Sequence, residues 1–265
     1  MHPMLNIAIR AARSAGNVII RQMDYVHDLP VNEKSRNDFV TEVDRNAEAV
    51  IIDTILKAYP KHAILAEESG RQGESEYEWV IDPLDGTTNF LHGFPQFAVS
   101  IALRHKNVID QAVIYDPLRQ ELFSASRGSG AQLNERKIRV SKRKHLDGSL
   151  LGTGFPFREN KRIEQYIETF RILFPLTAGV RRAGAAALDL AYVACGRLDG
   201  FWEFGLKPWD IAAGALLIQE AGGIITTMGG AKDILESGNI IAGNPFLLDE
   251  LSRKIKTALS NLNCD

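Results

Sequence analysis

The 265-residue chain predicts a mixed fold, an α+β half joined to an α/β half. Three observations predict it. Two amphipathic helix patterns open the chain, one at residues 4–23 and one running from Val43 to the proline at position 60. Short apolar runs separated by tight turns then fill residues 63–125, as in an antiparallel meander. From about residue 150 strands and helices alternate to the C-terminus. A meander followed by alternation is the pattern of an α+β unit running into an α/β unit. The seam is placed near residue 145, giving an N-terminal half 1–145 and a C-terminal half 146–265.

Each element has a local reason. Leu5, Ala8, Ile9, Ala12, Ala15, Val18 and Ile19 recur at helical spacing, and so do Val43, Ala47, Val50, Ile51 and Ile55. Thr41-Glu42-Val43-Asp44 reads as the N-cap of the second helix. Residues 63–66 and 79–81 are short strands, with a polar turn at 69–78 between them. Residues 97–104 and 108–115 flank His105-Lys106-Asn107 as a hairpin, and 121–125 extends it. Arg127-Gly128-Ser129-Gly130 breaks the pattern. Then follow a basic stretch to about His145, a strand at 150–154, helices at 163–173 and 185–196, a strand at 201–204 and a helix at 211–221. Strands at 224–227 and 240–242 and a last helix from Phe246 complete the chain, with no internal repeat.

Composition narrows the classes of function. Apolar residues make up 45%, enough for a sizeable core, and the net charge of −2 gives no general attraction to nucleic acid or membrane. Two cysteines, Cys195 and Cys264, make no disulfide framework and no zinc site, which fits a reducing compartment. Arg10, Arg13 and Arg21 interrupt the N-terminal apolar residues, unlike a signal peptide, and no run approaches the roughly 20 apolar residues of a membrane span. The expectation is a soluble, cytoplasmic protein with no membrane association.

The most informative segment is Trp79-Val80-Ile81-Asp82-Pro83-Leu84-Asp85-Gly86-Thr87-Thr88. A strand ending at Ile81 is followed by two carboxylates three positions apart, a glycine and two hydroxyls. Carboxylates are natural ligands of hard cations such as magnesium, and free N–H groups beyond them can take a phosphate. Taken alone, an Asp-Pro-x-Asp-Gly run is an ordinary turn. Other acids stand beside it: Glu67-Glu68 after the strand at 63–66, Asp210 before the helix at 211–221, and Asp44 beside Thr41. Each has a plain reading as well, respectively a solvated loop pair, an N-cap and a capping box. The six histidines, His2, His27, His62, His92, His105 and His145, show no metal-ligand spacing, and His92 is read as structural.

Together these residues resemble the inositol monophosphatase family of magnesium-dependent, lithium-sensitive phosphatases. The resemblance rests on Asp44, Glu67-Glu68, Asp82-Pro83-Leu84-Asp85-Gly86-Thr87, Trp209-Asp210-Ile211-Ala212-Ala213-Gly214 and Glu220-Ala221-Gly222-Gly223, in that order over nearly the whole chain. It implies a layered αβαβα sandwich and hydrolysis of a small phosphorylated polyol by metal-activated water, inositol 1-phosphate being favoured. It implies two magnesium ions, one held by Glu67, Asp82 and the Leu84 carbonyl, the other by Asp82, Asp85 and Asp210, with a third, weaker ion near Glu67. Gly86 and Thr87 would meet the phosphate through backbone N–H groups. Asp44 and Thr87 would pair and orient the attacking water. Glu203, Gly184, Ala185, Ala186, Asp85 and Asp210 would contact the rest of the substrate, and a homodimer is the family expectation. Asn134-Glu135 stands where many relatives have Asn-Gly, and the loop at Glu33, Lys34 and Ser35 aligns too loosely to give Lys34 a role.

A closer likeness, carried by residues 1–8 and 187–194, is to a bacterial branch of that family. Members of the branch are associated with ribosomal RNA transcription antitermination, working with RNA polymerase and Nus factors. The chain offers one physical hook for that reading, Arg136, Lys137, Arg139, Lys142, Arg143 and Lys144 in the segment 136–144, with Arg181-Arg182 elsewhere. Such a patch meets RNA or an acidic partner. The plain reading is a solvated strand face, since no aromatics interleave.

Overall fold

A computed structural model describes residues 2–28, 31–35, 38–156, 162–229 and 233–261, without side chains at 24, 27, 28, 31–35, 38–40 and 261. Cys264 and the side chains of Glu33, Lys34 and Ser35 lie outside what is described.

The N-terminal helices form where their spacing requires. Helix α1 (Pro3–Gln22) buries Leu5, Ala8, Ala12, Ala15 and Ile19, and α2 (Glu42–Ala58) buries Val43, Ala47, Ile51 and Ile55. Thr41 caps α2 in a reciprocal box with Asp44. Strands β1 (Val31–Ser35) and β2 (Asp38–Thr41) make a separate antiparallel ribbon between them.

The main sheet holds β3 (Ala63–Ala66), β4 (Gly70–Gln72), β5 (Tyr77–Asp85), β6 (Ala98–His105), β7 (Val108–Asp116), β8 (Glu121–Ser126), β9 (Gly130–Leu133) and β10 (Arg136–Lys137). Their order is β10-β9-β8-β7-β6-β5-β3-β4, antiparallel except where β3 runs parallel to β5. Three expectations change here. The polar segment 69–78 is not only a turn: β4 folds back on β3 as the edge strand, where polar residues belong. The strand at 79–81 continues to Asp85, because a bulge accommodates Pro83 without asking for a ladder N–H. Short β9 and β10 carry too few residues to show a period, and a tight turn with Asn134 and Glu135 at φ 46° and 66° joins them.

The second sheet holds β11 (Leu150–Thr153), β12 (Gly179–Arg181), β13 (Gly200–Glu203), β14 (Ile224–Thr227) and β15 (Ile240–Gly243), in the order β12-β11-β13-β15-β14. Its parallel pairs are β11 with β12 and with β13, and its other pairs are antiparallel. Helices α5 (Ala186–Ala194) and α6 (Pro208–Glu220) fill the space between the sheets. Helices α4 (Ile163–Leu173) and α8 (Pro245–Asn261) cover the outer face of the second sheet, as α1 and α2 cover that of the first. Short α3 (Thr87–Leu91) and α7 (Ile234–Ser237) lie in connections.

The layers are therefore αβαβα. The middle layer is apolar all round, and residues 211–218 of α6 are all buried. Each large apolar side chain buried there contributes about 1.5–3 kcal/mol. Close contact depends on Gly214, where a Cβ would stand 2.5 Å from the Leu190 side chain of α5. No helix among the described residues is long and apolar enough to cross a membrane.

Candidate active site

The site grows out of one parallel strand pair and one bulge. Ala66 of β3 lies opposite Ile81 of β5, and the Glu67 N–H donates to the Ile81 carbonyl at 3.1 Å. Glu67 and Asp82 thus leave adjacent strands at the same level. In a regular strand, positions 82 and 85 would face opposite ways. Between Asp82↔Ser100 and Asp85↔Ala98, however, Pro83 and Leu84 oppose a single residue, and this extra residue restores the parity. The Leu84 N–H donates to Asp82 Oδ1 at 3.0 Å and holds the turn.

The third acid arrives from the middle layer. Asp210 is in the first turn of α6, not before it as the sequence suggested: Pro208 starts the helix one turn earlier, and the Lys207 N–H donates to Asp210 Oδ2 at 2.7 Å. Ser100 Oγ donates to the Trp209 carbonyl at 3.1 Å and ties this helix start to β6. Carboxylate oxygens of Asp82, Asp85 and Asp210 lie within 4.8 Å of one another. Asp85 Oδ2 also accepts the Ala187 N–H at 2.7 Å, so α5 is fixed on the same cluster.

Three buried acids this close repel. Burial, then the charges of Glu67, Asp85 and Asp210, hold the Asp82 carboxyl well above the usual carboxylate range. Burial, with Asp210 as the largest charge contribution, pushes Asp85 up to about 8. Clustered carboxylate oxygens are the donor set of a hard divalent cation, so the residues present fit one. Glu67 lines the same cleft and acts on both aspartates, although its oxygens lie outside the tight triad.

Beside the triad, Gly86 takes φ 92°, and a Cβ there would stand 2.8 Å from the Gln96 carbonyl, so the turn into α3 requires glycine. Thr87 Oγ is 2.9 Å from Asp44 Oδ1 and 3.0 Å from the Leu84 carbonyl. Asp44 Oδ2 accepts the Thr41 N–H at 2.8 Å and the Thr41 hydroxyl at 2.6 Å. The capping box and the link to Thr87 are therefore one structure.

The far wall comes from the second sheet. The cleft encloses about 460 Å³ and is lined by Gly184, Ala185, Ala186 and Glu203 as well as by Glu67, Asp82, Leu84, Asp85, Gly86, Thr87 and Asp210. Asp44 stands behind Thr87 and is the one expected site residue outside the lining. Asn89 Nδ2 donates to the Gln96 carbonyl at 2.7 Å and the Ala183 carbonyl at 2.9 Å, joining the two walls. His92, read as structural, is exposed at the rim. The sequence reading missed Asn89, Gly154, Phe155 and Asp189, and saw Arg182 only as half of a basic pair. Arg182 lies over the Phe155 ring at 4.7 Å at this cleft. Asp189 had one signal, a lone acid in the apolar run 185–194.

The family model described as "Inositol monophosphatase family" matches residues 1–260. A Pseudomonas aeruginosa protein named Nus factor SuhB is 60% identical over 250 residues, covering 92% of each chain. The crystal structure of extragenic suppressor protein suhB from Bartonella henselae superposes with TM-score 0.93 at 46% identity, covering 96% of this chain and 99% of that one. The structure of inositol monophosphatase from Anabaena (Nostoc) superposes with TM-score 0.86 at 44% identity, covering 96% and 95%.

Proposed function

The chain belongs to the inositol monophosphatase family, and we propose that it hydrolyses a small polyol phosphate monoester, with inositol 1-phosphate as the favoured substrate, in a magnesium-dependent reaction. The observation that carries this reading is the triad Asp82, Asp85 and Asp210, buried at the bottom of a cleft with their oxygens within 4.8 Å.

Glu67, Asp82 and the Leu84 carbonyl would hold one ion, Asp82, Asp85 and Asp210 a second, and a third, weaker one would sit near Glu67. Bound magnesium lowers the pKa of water and stabilises the leaving oxygen of a phosphate ester whose uncatalysed hydrolysis is extremely slow. The chain's own groups do the rest. The Thr87 hydroxyl donates its single hydrogen to Asp44 Oδ1, which would leave the Leu84 carbonyl free as a ligand. The Thr87 oxygen then offers its lone pairs to the hydrogen of the attacking water and orients it. The N–H groups of Gly86 and Thr87 take the phosphate. Glu203, with Gly184, Ala185 and Ala186, receives the polyol. A homodimer belongs to the same proposal, supported by Phe155, Ile163, Ile167 and Phe174, which expose 39–54% of their surface; light scattering at the mass of one 29.3 kDa chain counts against it.

The test is a substrate panel on metal-stripped protein: inositol 1-phosphate, fructose 1,6-bisphosphate, adenosine 3′,5′-bisphosphate and histidinol phosphate, each with and without magnesium. Inositol 1-phosphate is expected to be turned over fastest, only with metal, and with inhibition by lithium. Absence of metal-stimulated phosphate release from every ester sinks the reading.

A second reading has its own support, the name Nus factor of the Pseudomonas relative. We propose that the chain also serves in ribosomal RNA transcription antitermination, alongside RNA polymerase and Nus factors. Arg136, Lys137, Arg139, Lys142, Arg143 and Lys144 are all exposed, as a contact to RNA or an acidic partner needs. Charge reversal at Lys137, Lys142 and Lys144 is expected to weaken binding to a transcription complex assembled with Nus factors and to leave phosphatase turnover unchanged. Unchanged binding counts against the patch.

A further inference from the structure

Beyond the acids of the triad, the cleft contains a buried carboxyl oxygen that bonds to nothing among the described residues. Asp189, near the start of α5, is 2% exposed and lines the cleft, and its Oδ1 has no hydrogen-bond partner among those residues. Buried polar oxygens without a partner are rare, and leaving one so is costly. The segment packed against this helix carries two glycines here, and the second makes room for the Glu203 carboxylate. Gly152 and Gly154 sit two apart on β11 and beyond its end, on one face. A Cβ on Gly152 would stand 3.7 Å from the Asp189 Cβ, and one on Gly154 would collide with the Glu203 carboxylate. Two acids thus share one glycine-lined recess.

Their charges are poorly answered from within. After burial, the largest influence raising Glu203 is the charge of Asp189. Among the described residues the cation acting on both is Arg182, which is exposed at the cleft and makes no ion pair there with either acid. Adjacent carboxyl oxygens at the wall of the cleft fit a ligand rich in donors. Free hydroxyls are such donors, and the dianion of a phosphate monoester is not.

We infer that Asp189 is a specificity-determining residue: beside Glu203, it accepts a hydrogen bond from a hydroxyl of the polyol held in the cleft. This rests on the phosphatase reading for the class of ligand and adds the residue that reads its hydroxyls. It divides the cleft into a phosphate end at Asp82, Asp85, Gly86 and Asp210, and a hydroxyl end at Asp189 and Glu203.

Calorimetry on the full chain tests it, with calcium in place of magnesium to suppress turnover. The two probes are inositol 1-phosphate and inorganic phosphate, and the proteins are wild type, Asp189→Asn and Asp189→Ser. Two variants are used so that the readout survives if one folds poorly. Removing one partner of a buried hydrogen bond corresponds to an affinity change of about 10–100-fold. Weakening of inositol 1-phosphate by that factor, with inorganic phosphate within twofold, is the expected result. Equal weakening of both probes overturns the inference, since Asp189 would then support the metal site or the fold. Unchanged affinity for both also overturns it, as does a wild type that binds inorganic phosphate but prefers no polyol phosphate. Failure of the phosphatase reading looks different: wild type binds inositol 1-phosphate in calcium yet releases no phosphate in magnesium.

Discussion

Asp82→Asn is expected to lower magnesium-dependent turnover by about 10³-fold or more and, at the same time, to raise the melting temperature of the metal-free protein. The two effects have one cause. Asp82 is 1% exposed and faces the charges of Glu67, Asp85 and Asp210. With metal bound, that charge density stabilises the transition state by several kcal/mol, and an amide supplies little of it. Without metal the same density destabilises the fold. The sign follows from proton counting. Asp85 holds its proton up to about pH 8 in the folded chain, and Asp82 is raised in the same direction, whereas an unfolded aspartate loses its proton near pH ~3.9. Between those values the native state carries more protons than the unfolded one. Metal-free stability therefore falls as pH rises from about 4 towards 8. Asparagine has no proton to hold, so it removes the share due to Asp82. It keeps a carbonyl to accept the Leu84 N–H, and the bulge survives. Melting curves in chelator should converge near pH 4 and separate as pH rises, the variant melting higher by about 2–4 °C for each kcal/mol relieved. A variant that melts lower than wild type in chelator at pH 7.5, or one that retains normal turnover, contradicts the assignment of Asp82.

The legible part of this site and the hidden part differ in kind. Asp82, Asp85, Glu67 and Asp210 stand at strand ends and a helix start, where the pattern of the chain changes and a polar residue is conspicuous. The middle layer could also be read, as apolar runs. The bulge could not: it depends on Val99 of β6 facing two residues of β5, a fact about pairing that no segment carries by itself. The same holds for β4, β9, β10 and β12, which contain two to four residues and owe their extended form to a neighbour. Asp189 was hidden for the opposite reason. Its helix is so apolar that a single acid reads as an exposed face, whereas the packed structure buries it at the wall of the cleft.

Asp44→Asn and Thr87→Val are expected to reduce turnover alike, by about 10²-fold, yet to differ in their need for magnesium. Asp44 is 1% exposed, and its carboxylate accepts from the Thr41 N–H, the Thr41 hydroxyl and the Thr87 hydroxyl. An amide has one accepting oxygen. The backbone N–H of Thr41 has no other choice of direction, so the carbonyl of an asparagine stays with Thr41 and its NH₂ turns to Thr87. That NH₂ donates to the Thr87 oxygen and forces the hydroxyl proton onto its remaining acceptor, the Leu84 carbonyl at 3.0 Å. The carbonyl proposed as a metal ligand is then occupied by a hydrogen bond, and the oxygen proposed to receive the water is occupied as well. Half of the cap persists, so the stability cost stays near ~1 kcal/mol. Valine at position 87 removes the hydroxyl altogether: the water loses its guide, while the Leu84 carbonyl remains open. Magnesium titration of activity should therefore show a half-saturation raised several-fold in Asp44→Asn and close to wild type in Thr87→Val. If both variants shift magnesium dependence equally, Thr87 does not decide the state of the Leu84 carbonyl; if neither lowers turnover, the pair does not orient the water.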